Sequence, residues 1–296
     1  MKSGFVSLVG RPNAGKSTFL NRFVGQKVAI VSDKPQTTRH RIVGVNNGPG
    51  HQIVFIDTPG IHKPMHRMNR RMVDIATDTL READVVVLVV DASTRPGAGD
   101  EFVLDLLKRS QAAVLLVLNK VDRIHKPRLL PLIQRYAKSF AFKAIVPASA
   151  LTGDGEQDLL REIVAALPEG DPLYPADYLT DQTERGLAAE IVREKVLAHT
   201  RDELPYTTAV LIDRFEEPAQ PGGLTRIFAS ILVDHDSQKP IVVGKGGDMI
   251  KRIGTEARLE IERMLDGRVH LELHVKVRTD WRDDERLLDE MGLRGR

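Results

Sequence analysis

Gly10-Arg11-Pro12-Asn13-Ala14-Gly15-Lys16-Ser17 stands between an apolar run, residues 5–9, and a stretch, residues 16–24, whose apolar side chains recur at helical spacing. The spacing fits a phosphate-binding loop in a strand–loop–helix unit. Its glycines let the backbone curl around an anion. Successive N–H groups and the helix N-terminus then supply the positive field. Lys16 is expected to reach the β- and γ-phosphates of a nucleotide, and the Ser17 hydroxyl to ligate Mg²⁺.

Outward from this loop the first half keeps one rhythm. Residues 53–56, 85–90, 114–118 and 143–146 read as further strands, and residues 67–82, 100–109, 128–139 and 155–167 as helices between them. Alternation of this kind predicts an α/β domain with a mostly parallel sheet covered on both faces. Leu167-Pro168-Glu169-Gly170-Asp171-Pro172, with Pro175 after it, stops the rhythm and predicts an exposed connection. The second half reads as a helix over 183–199, strands over 206–215 and 226–234, and a short apolar piece at 240–243. A helix over 248–265, a strand over 268–277 and a short helix at 283–291 complete it. This is an α+β order. The expected organisation is a nucleotide domain over 1–168, a linker over 169–181, a second domain over 182–282 and a tail over 283–296.

A phosphate loop does not choose the base. That choice rests on Asn119-Lys120-Val121-Asp122, directly after the strand at 114–118. Asp122 is an acceptor-only carboxylate, matched to the N1–H and 2-amino donors that guanine has and adenine lacks. Mispairing such a group is costly, so the wrong base is rejected strongly. Ala148-Ser149-Ala150 closes the next strand, where Ser149 and Ala150 offer backbone N–H groups toward guanine O6. Asp57-Thr58-Pro59-Gly60 closes the strand at 53–56. Asp57 suits a water-mediated Mg²⁺ contact and the Gly60 N–H a γ-phosphate contact. Gln36-Thr37-Thr38-Arg39-His40 is a polar stretch in which Thr38, ahead of Thr37, is expected to close over Mg²⁺.

These elements, in this order, resemble the translation-factor-like GTPases of the phosphate-loop class. The resemblance covers about the first 150 residues. It implies hydrolysis of GTP to GDP by in-line attack of a water, with Lys16, Thr38 and Gly60 in the catalytic constellation. Ile61 follows Gly60 where Ras-like proteins carry the water-orienting glutamine, and an isoleucine neither donates nor accepts a hydrogen bond. Slow intrinsic turnover is expected. Related GTPases use an asparagine at the Asn13 position to hold K⁺ between the phosphates, which implies a K⁺ role here as well.

In the second half, Gly244-Lys245-Gly246-Gly247 opens a helix, with Ile241 and Val243 before it and Ile250 and Lys251 after it. Glycines at a helix start let a nucleic-acid backbone pack close, and Lys245 adds a phosphate contact. This resembles the GXXG loop of a KH domain, which clamps single-stranded nucleotides, and the order of elements matches the type-2 arrangement. Lys251, Arg252, Arg258 and Arg263 make the following helix basic. Ile241, Val243, Ile250 and Ile253 are expected to serve as groove wall and core together. Aromatic residues make up only 5% of the chain, so base stacking is not expected to dominate.

A GTPase half joined to a type-2 KH half resembles the bacterial Era family over nearly the whole chain. Further stretches support this: Pro35-Gln36-Thr37-Thr38-Arg39-His40-Arg41, Glu203-Leu204-Pro205-Tyr206, and Val269-His270-Leu271-Glu272-Leu273 leading to Trp281 and Asp283-Asp284-Glu285-Arg286. The resemblance implies a factor for maturation of the small (30S) ribosomal subunit that binds the 3′ end of 16S rRNA. It also implies a cytoplasmic monomer with a peripheral pool on the inner face of the cell membrane. Composition sets the outer limits. Lys and Arg total 43 against 41 Asp and Glu, so RNA affinity must come from a local patch. With no cysteine, disulfides and thiolate metal sites are excluded. The apolar runs are too short to cross a bilayer as helices, and because the N-terminus runs straight into a strand pattern no signal peptide is expected. Two function classes stand apart at this point: a nucleotide-controlled switch, and an RNA-binding platform whose nucleotide site is structural.

Overall fold

The structure, a computed structural model, describes residues 1–34, 36–60, 67–201, 204–220 and 222–293. By their contacts the described residues fall into two units. One lies within Met1–Ala29, Thr38–Met65 and Asn69–Asp181, and the other within Ile30–Thr37, His66–Met68 and Gln182–Arg296.

The first unit carries β1 (Lys2–Val9), α1 (Lys16–Val24), β2 (Ile42–Gly48), β3 (His51–Asp57), α2 (Arg67–Glu82, its first two residues grouped with the other unit) and β4 (Val85–Asp91). It continues with α3 (Ala98–Leu107), β5 (Ala113–Asn119), α4 (Leu129–Ser139), β6 (Ala144–Pro147) and α5 (Glu156–Ala166). Its six-stranded sheet has the order β2-β3-β1-β4-β5-β6. All pairings are parallel except that of β2 with β3. Strict alternation along β4 covers both faces. Val85, Val87 and Val89 pack with Phe19, Phe23, Leu159 and Ile163 of α1 and α5, while Val86, Leu88 and Val90 pack with Ala76, Leu80, Val103 and Leu107 of α2 and α3. Burying each such side chain contributes about 1.5–3 kcal/mol.

Strand β2 has no counterpart among the strands expected from the sequence. Ile-Val-Gly-Val-Asn-Asn-Gly has poor strand propensity in its second half, and pairing with β3 decides it. Gly44 is there for closeness: a Cβ would lie 2.5 Å from Val24 and 2.7 Å from Leu20 of α1.

The connection at 168–181 is largely exposed, as expected, yet it is pinned along its length. Ser3 N donates to the Pro168 carbonyl at 3.1 Å and Val45 N to the Leu179 carbonyl at 2.8 Å. Gln52 Nε2 donates to the Tyr174 carbonyl at 2.8 Å, and Thr180 Oγ1 to the Val43 carbonyl at 2.6 Å. The segment thereby covers the edge strand β2, whose backbone groups would otherwise invite another strand.

The second unit carries α6 (Glu184–His199), α7 (Leu204–Thr207), β7 (Ala209–Glu216), β8 (Leu224–Val233), α8 (Lys239–Val243), α9 (Asp248–Leu265), β9 (Arg268–Val277) and α10 (Glu285–Glu290). β8 pairs antiparallel with β7 and parallel with β9. One face of this three-stranded sheet packs on α6 and α9 through Ile191, Val196, Ile227, Ile231, Ile253 and Ala257. The apolar piece at 240–243 is helical, because Pro240 is tolerated in a first turn where its missing N–H costs nothing. Trp281 is fully buried and its indole N–H donates to the Thr207 carbonyl at 2.9 Å, so it anchors the C-terminal segment.

Candidate functional site

In an open parallel sheet, ligands gather at the carboxyl ends of strands where the chain order reverses. In the first unit that point is the end of β1, with β3 on one side and β4 on the other. The loop at 10–17 leaves β1 there. Gly10 has φ 149°, and a Cβ on it would lie 2.2 Å from the Val89 carbonyl oxygen. Gly15 has φ 104°, and a Cβ there would lie 2.1 Å from Asn119 Nδ2. Neither position accepts another residue without strain.

Lys16 is buried and its Nζ donates to the carbonyls of Gly10 at 3.3 Å and Arg11 at 3.2 Å. Ser17 Oγ lies 2.5 Å from Asp57 Oδ2 and 2.8 Å from Thr38 Oγ1, and Thr38 Oγ1 donates to Asp57 Oδ2 at 3.1 Å. Thr37 does not join them; its hydroxyl donates to the Lys34 carbonyl at 2.6 Å. Burial pushes the Lys16 ammonium below the ordinary lysine range, opposed by the Asp57 charge. Burial likewise pushes the Asp57 carboxyl up, opposed first by Lys16 and then by the Ser17 and Thr38 hydroxyls. Among the described residues Asp57 Oδ1 is buried with no hydrogen-bond partner. Two hydroxyls and a carboxylate with an unused oxygen form a hard-oxygen donor set that fits Mg²⁺. That ion is commonly held by few protein ligands together with substrate phosphates.

Thr58 donates through Oγ1 to the Leu8 carbonyl at 3.0 Å and ties the end of β3 to β1. Gly60 approaches the phosphate loop so closely that a Cβ would lie 2.8 Å from Pro12 Cα. Ile61 and Pro35 lie outside the described residues. Arg41 pairs with Glu82 at 3.3 Å, and Arg39 is buried.

Asn119-Lys120-Val121-Asp122 follows β5. Asn119 is a bracket: its Nδ2 donates to the Ala14 carbonyl at 2.7 Å and its Oδ1 accepts from Ala150 N at 2.9 Å. Lys120, at φ 66°, donates to the Asn13 carbonyl at 2.7 Å and to Asp91 Oδ2 at 2.6 Å. Asp122 Oδ1 accepts from the Ser149 hydroxyl at 2.6 Å, and Val121 N bonds the Ala148 carbonyl at 3.3 Å. The phosphate loop, residues 119–122 and residues 148–150 are therefore one hydrogen-bonded assembly.

Two members of the site carry no motif of their own. Asp91 ends β4 and holds Lys120; burial raises its pKa, but hydrogen bonds from Lys120 and Ser93 outweigh this and hold the carboxyl below its ordinary value. Its one signal is positional, since it pairs in register with Asn119 on the neighbouring strand. Asp100, buried at the start of α3, accepts from Arg11 Nη1 at 3.0 Å. Nothing in the local pattern marks it.

In the second unit, Gly244, Gly246 and Gly247 all have positive φ (76°, 63° and 83°) between α8 and α9. A Cβ on Gly244 would lie 2.6 Å from Met249 Cβ, whereas Cβ atoms on Gly246 and Gly247 would meet open space. Lys245 and Lys251 are exposed, Ile241 is 54% exposed, and Val243 and Ile250 are half-buried beside the turn. Ile253, expected to serve the groove as well, is wholly core, since it lies one turn further along on the face that meets the sheet. The basic character of α9 is also reduced: Arg252 pairs with Glu256 at 3.2 Å and Arg258 with Glu262 at 2.8 Å. Lys245 and Lys251 remain exposed at the turn and its flank, and Arg263 is exposed at the far end of the helix.

Comparison with known proteins follows the same division. A family profile described as "50S ribosome-binding GTPase" matches residues 5–120, and one described as "KH domain" matches residues 203–282. The chain is 53% identical to a protein named GTPase Era from Geobacter metallireducens, over 98% of this chain and 97% of that one. It is 50% identical to GTPase Era from Geotalea uraniireducens with the same coverage. Among solved structures it is similar to Era in complex with MgGDPNP and nucleotides 1506–1542 of 16S ribosomal RNA, with TM-score 0.95 and 43% identity over all of both chains. It is also similar to a single-residue variant of Aquifex aeolicus Era bound to GDP.AlF4⁻, with TM-score 0.93 and 42% identity over all of both chains. Among the described residues no helix is long and apolar enough to cross a membrane.

Proposed function

The chain belongs to the Era family of GTPases, and on that basis we propose that it is a Mg²⁺-dependent GTP-hydrolysing switch. Its second unit grips the 3′ end of 16S rRNA during maturation of the small ribosomal subunit. The observation that carries this reading is the Ser17–Thr38–Asp57 oxygen cluster beside buried Lys16. A buried ammonium and a buried carboxylate, both displaced from their ordinary pKa by burial, gain most from a ligand that brings phosphate to the first and a cation to the second.

In this reading Gly10 to Ser17 cradle the phosphates, with Arg11, Pro12 and Ala14 contributing backbone. Lys16 offsets their charge, and Ser17 and Thr38 ligate Mg²⁺, with Asp57 acting through water. Bound Mg²⁺ supplies charge neutralisation at the β- and γ-oxygens. Thr58 and Pro59 set the Gly60 N–H toward the γ-phosphate. Asp122 selects guanine. The Ser149 and Ala150 N–H groups, expected from the sequence to face guanine O6, are taken by the Asp154 carbonyl and Asn119 Oδ1. With Asn119 and Lys120 they hold the surroundings of Asp122 rigid. Ile61 brings no group that could orient water, so intrinsic turnover is slow. Asn13 holds K⁺ as the charge that an arginine would supply elsewhere; equal turnover in K⁺ and Na⁺ buffers removes that role.

RNA binds at Gly244–Gly247, where exposed Lys245 and Lys251 meet phosphates and Ile241, Val243 and Ile250 wall the bases. The division of labour proposed is 1–168 for the nucleotide, 169–181 as linker, 182–282 for RNA and 283–296 as tail. A peripheral membrane pool rests on the family resemblance and is tested by fractionating cells at low and high salt. The test of the switch is the affinity for a 16S 3′-end oligonucleotide with GDP and with a non-hydrolysable GTP analogue. Tighter binding with the analogue is expected. Equal affinities leave an RNA platform with a structural nucleotide site, because a ligand with no differential affinity shifts nothing.

A further inference from the structure

Acidic side chains number 41 in the 296 residues, yet none falls between Arg123 and Gly153. The same stretch holds Arg123, Lys126, Arg128, Arg135, Lys138 and Lys143, and without these six the chain would be net negative. All six belong to the first unit and are exposed. Arg123 lies 3.9 Å from Asp122 of the proposed base site and is set aside. The other five make no ion pair and no side-chain hydrogen bond among the described residues. Elsewhere in the unit surface cations are paired, as Arg22 is with Glu156 at 2.6 Å.

Local structure gathers these charges. Lys126–Arg128 forms a single 3₁₀ turn, and Arg128 leads into α4 with helical dihedrals (φ −78°, ψ −16°). Arg128 and Arg135 are seven residues apart and Lys138 lies three beyond. At 3.6 residues per turn the three share one face over about 15 Å. Lys143 stands immediately before β6. The opposite face of α4 is committed to the core, where Leu132, Ile133 and Tyr136 pack with Val103 and Leu107 of α3. The exposed acids of α3 are Glu101 and Asp105, and Asp105 is already held by Lys108 at 2.7 Å.

The chemistry of this face narrows its partner. Protein interfaces centre on apolar and aromatic anchors and are depleted of charge at their core. Among the described residues from 123 to 143 the exposed large apolar side chain is Leu130 alone. A helix lying on a membrane needs a free apolar face, and α4 buries its own. Single-stranded bases stack on exposed rings, but Tyr136 is buried and Phe140 and Phe142 are half-buried against each other, centroids 4.9 Å apart. Phosphate is the chemistry left. Double-stranded RNA is bound chiefly through its shape, 2′-hydroxyls and phosphates, with little reading of sequence.

We propose that the exposed face of α4, with Lys126 and Lys143 at its ends, is a second RNA-binding surface that takes the phosphate backbone of a double-stranded RNA segment. It is separate from the single-strand grip read at Gly244–Gly247, and no residue of the second unit enters it.

The test uses the full chain carrying Arg128→Gln/Arg135→Gln/Lys138→Gln, which removes three charges at nearly constant helix propensity, beside Lys245→Ala. Each protein is titrated across salt concentrations with an RNA duplex of about 20 base pairs, the single-stranded 16S 3′-end oligonucleotide, and phosphatidylglycerol vesicles. Thermal melting and GDP affinity are the controls for fold. For the duplex, the triple variant should lower the slope of log affinity against log salt by about 2.7, three contacts at about 0.9 each. Its single-strand affinity should stay at the parent's value. A duplex slope equal to the parent's overturns the proposal. So does a loss confined to vesicles, which assigns the face to a membrane. If Lys245→Ala leaves the single strand untouched, the grip at the glycine turn fails while the duplex result still decides α4. Because the chain has no cysteine, Gln134→Cys, exposed one turn before Lys138, carries a single photoreactive label. On small ribosomal subunits that label should crosslink to RNA, and crosslinks to protein alone overturn the proposal even if the triple variant melts early.

Discussion

Replacing Asp122 by asparagine exchanges an acceptor for a mixed donor and acceptor while hardly disturbing the protein around it. Asp122 Oδ1 accepts from the Ser149 hydroxyl at 2.6 Å, and Ser149 Oγ in turn accepts from Thr152 N at 3.2 Å. An amide oxygen can take the same hydroxyl proton, so the local network survives Asp122→Asn and the fold should change by less than about 1 kcal/mol. The nucleotide fares differently. Guanine offers two donors, N1–H and the 2-amino group, and an amide can accept one while setting its own NH₂ against the other. One charge-assisted bond is lost, at about 1.5–3 kcal/mol, and a donor is left facing a donor, at about 1–3 kcal/mol. The sum is roughly 2.5–6 kcal/mol, or a loss of GDP affinity on the order of 10²–10⁴-fold. Xanthine carries a carbonyl where guanine carries its amino group, so xanthosine diphosphate should gain affinity in the same variant. Displacement of a fluorescent nucleotide measures both, with thermal melting as the control for fold. An Asp122→Asn protein that binds GDP within about threefold of the parent, or gains nothing toward the xanthine nucleotide, would falsify the assignment of Asp122 to the base.

Trp281→Phe leaves the buried Thr207 carbonyl without its indole donor and opens a void. The second unit should lose about 2–3 kcal/mol in urea unfolding while GDP affinity stays fixed; a loss under about 0.5 kcal/mol is against the anchoring role. Lys245→Ala should weaken RNA binding and lower the slope of log affinity against log salt by about 0.7, one phosphate contact on a single strand. An unchanged slope removes Lys245 from the interface. Glu256 titrates below the ordinary glutamate value near 4.5, chiefly through its hydrogen bond from His199. A depressed carboxylate stabilises the fold above its unfolded pKa and loses that contribution as pH falls through the folded value. The melting-temperature gap between the parent and Glu256→Gln should therefore be full at about pH 6 and close as the pH drops below the ordinary glutamate value. A gap independent of pH contradicts the pairing.

Much of the nucleotide site is legible in the chain because each of its parts is local. The turn at 10–17 needs glycine at Gly10 and Gly15 for its positive φ, and the helix begins at Lys16. Strand ends present Asp57, Asn119 and Ser149 wherever a parallel sheet forms. The same holds for Gly244–Gly247: positive φ and the close Met249 require glycine at Gly244, and positive φ favours it at Gly246 and Gly247. For the proposed metal site the sequence prefers Thr38 to Thr37, and in the structure Thr37 turns to the Lys34 carbonyl while Thr38 meets Ser17 and Asp57.

What the tertiary structure decided are the brackets. Asn119 reaches Ala14 across 105 residues, Lys120 reaches Asn13 across 107, and Arg193 reaches Thr37 across 156. Asp91 and Asp100 acquire their roles only when β4 and α3 are laid beside the phosphate loop. Strand β2 exists only because β3 and the 168–181 segment pair with it. Motifs are written in short-range backbone geometry, which a spacing rule captures. The groups that hold motifs in place are ordinary carboxylates, amides and an arginine, and nothing but their position in the folded chain sets them apart.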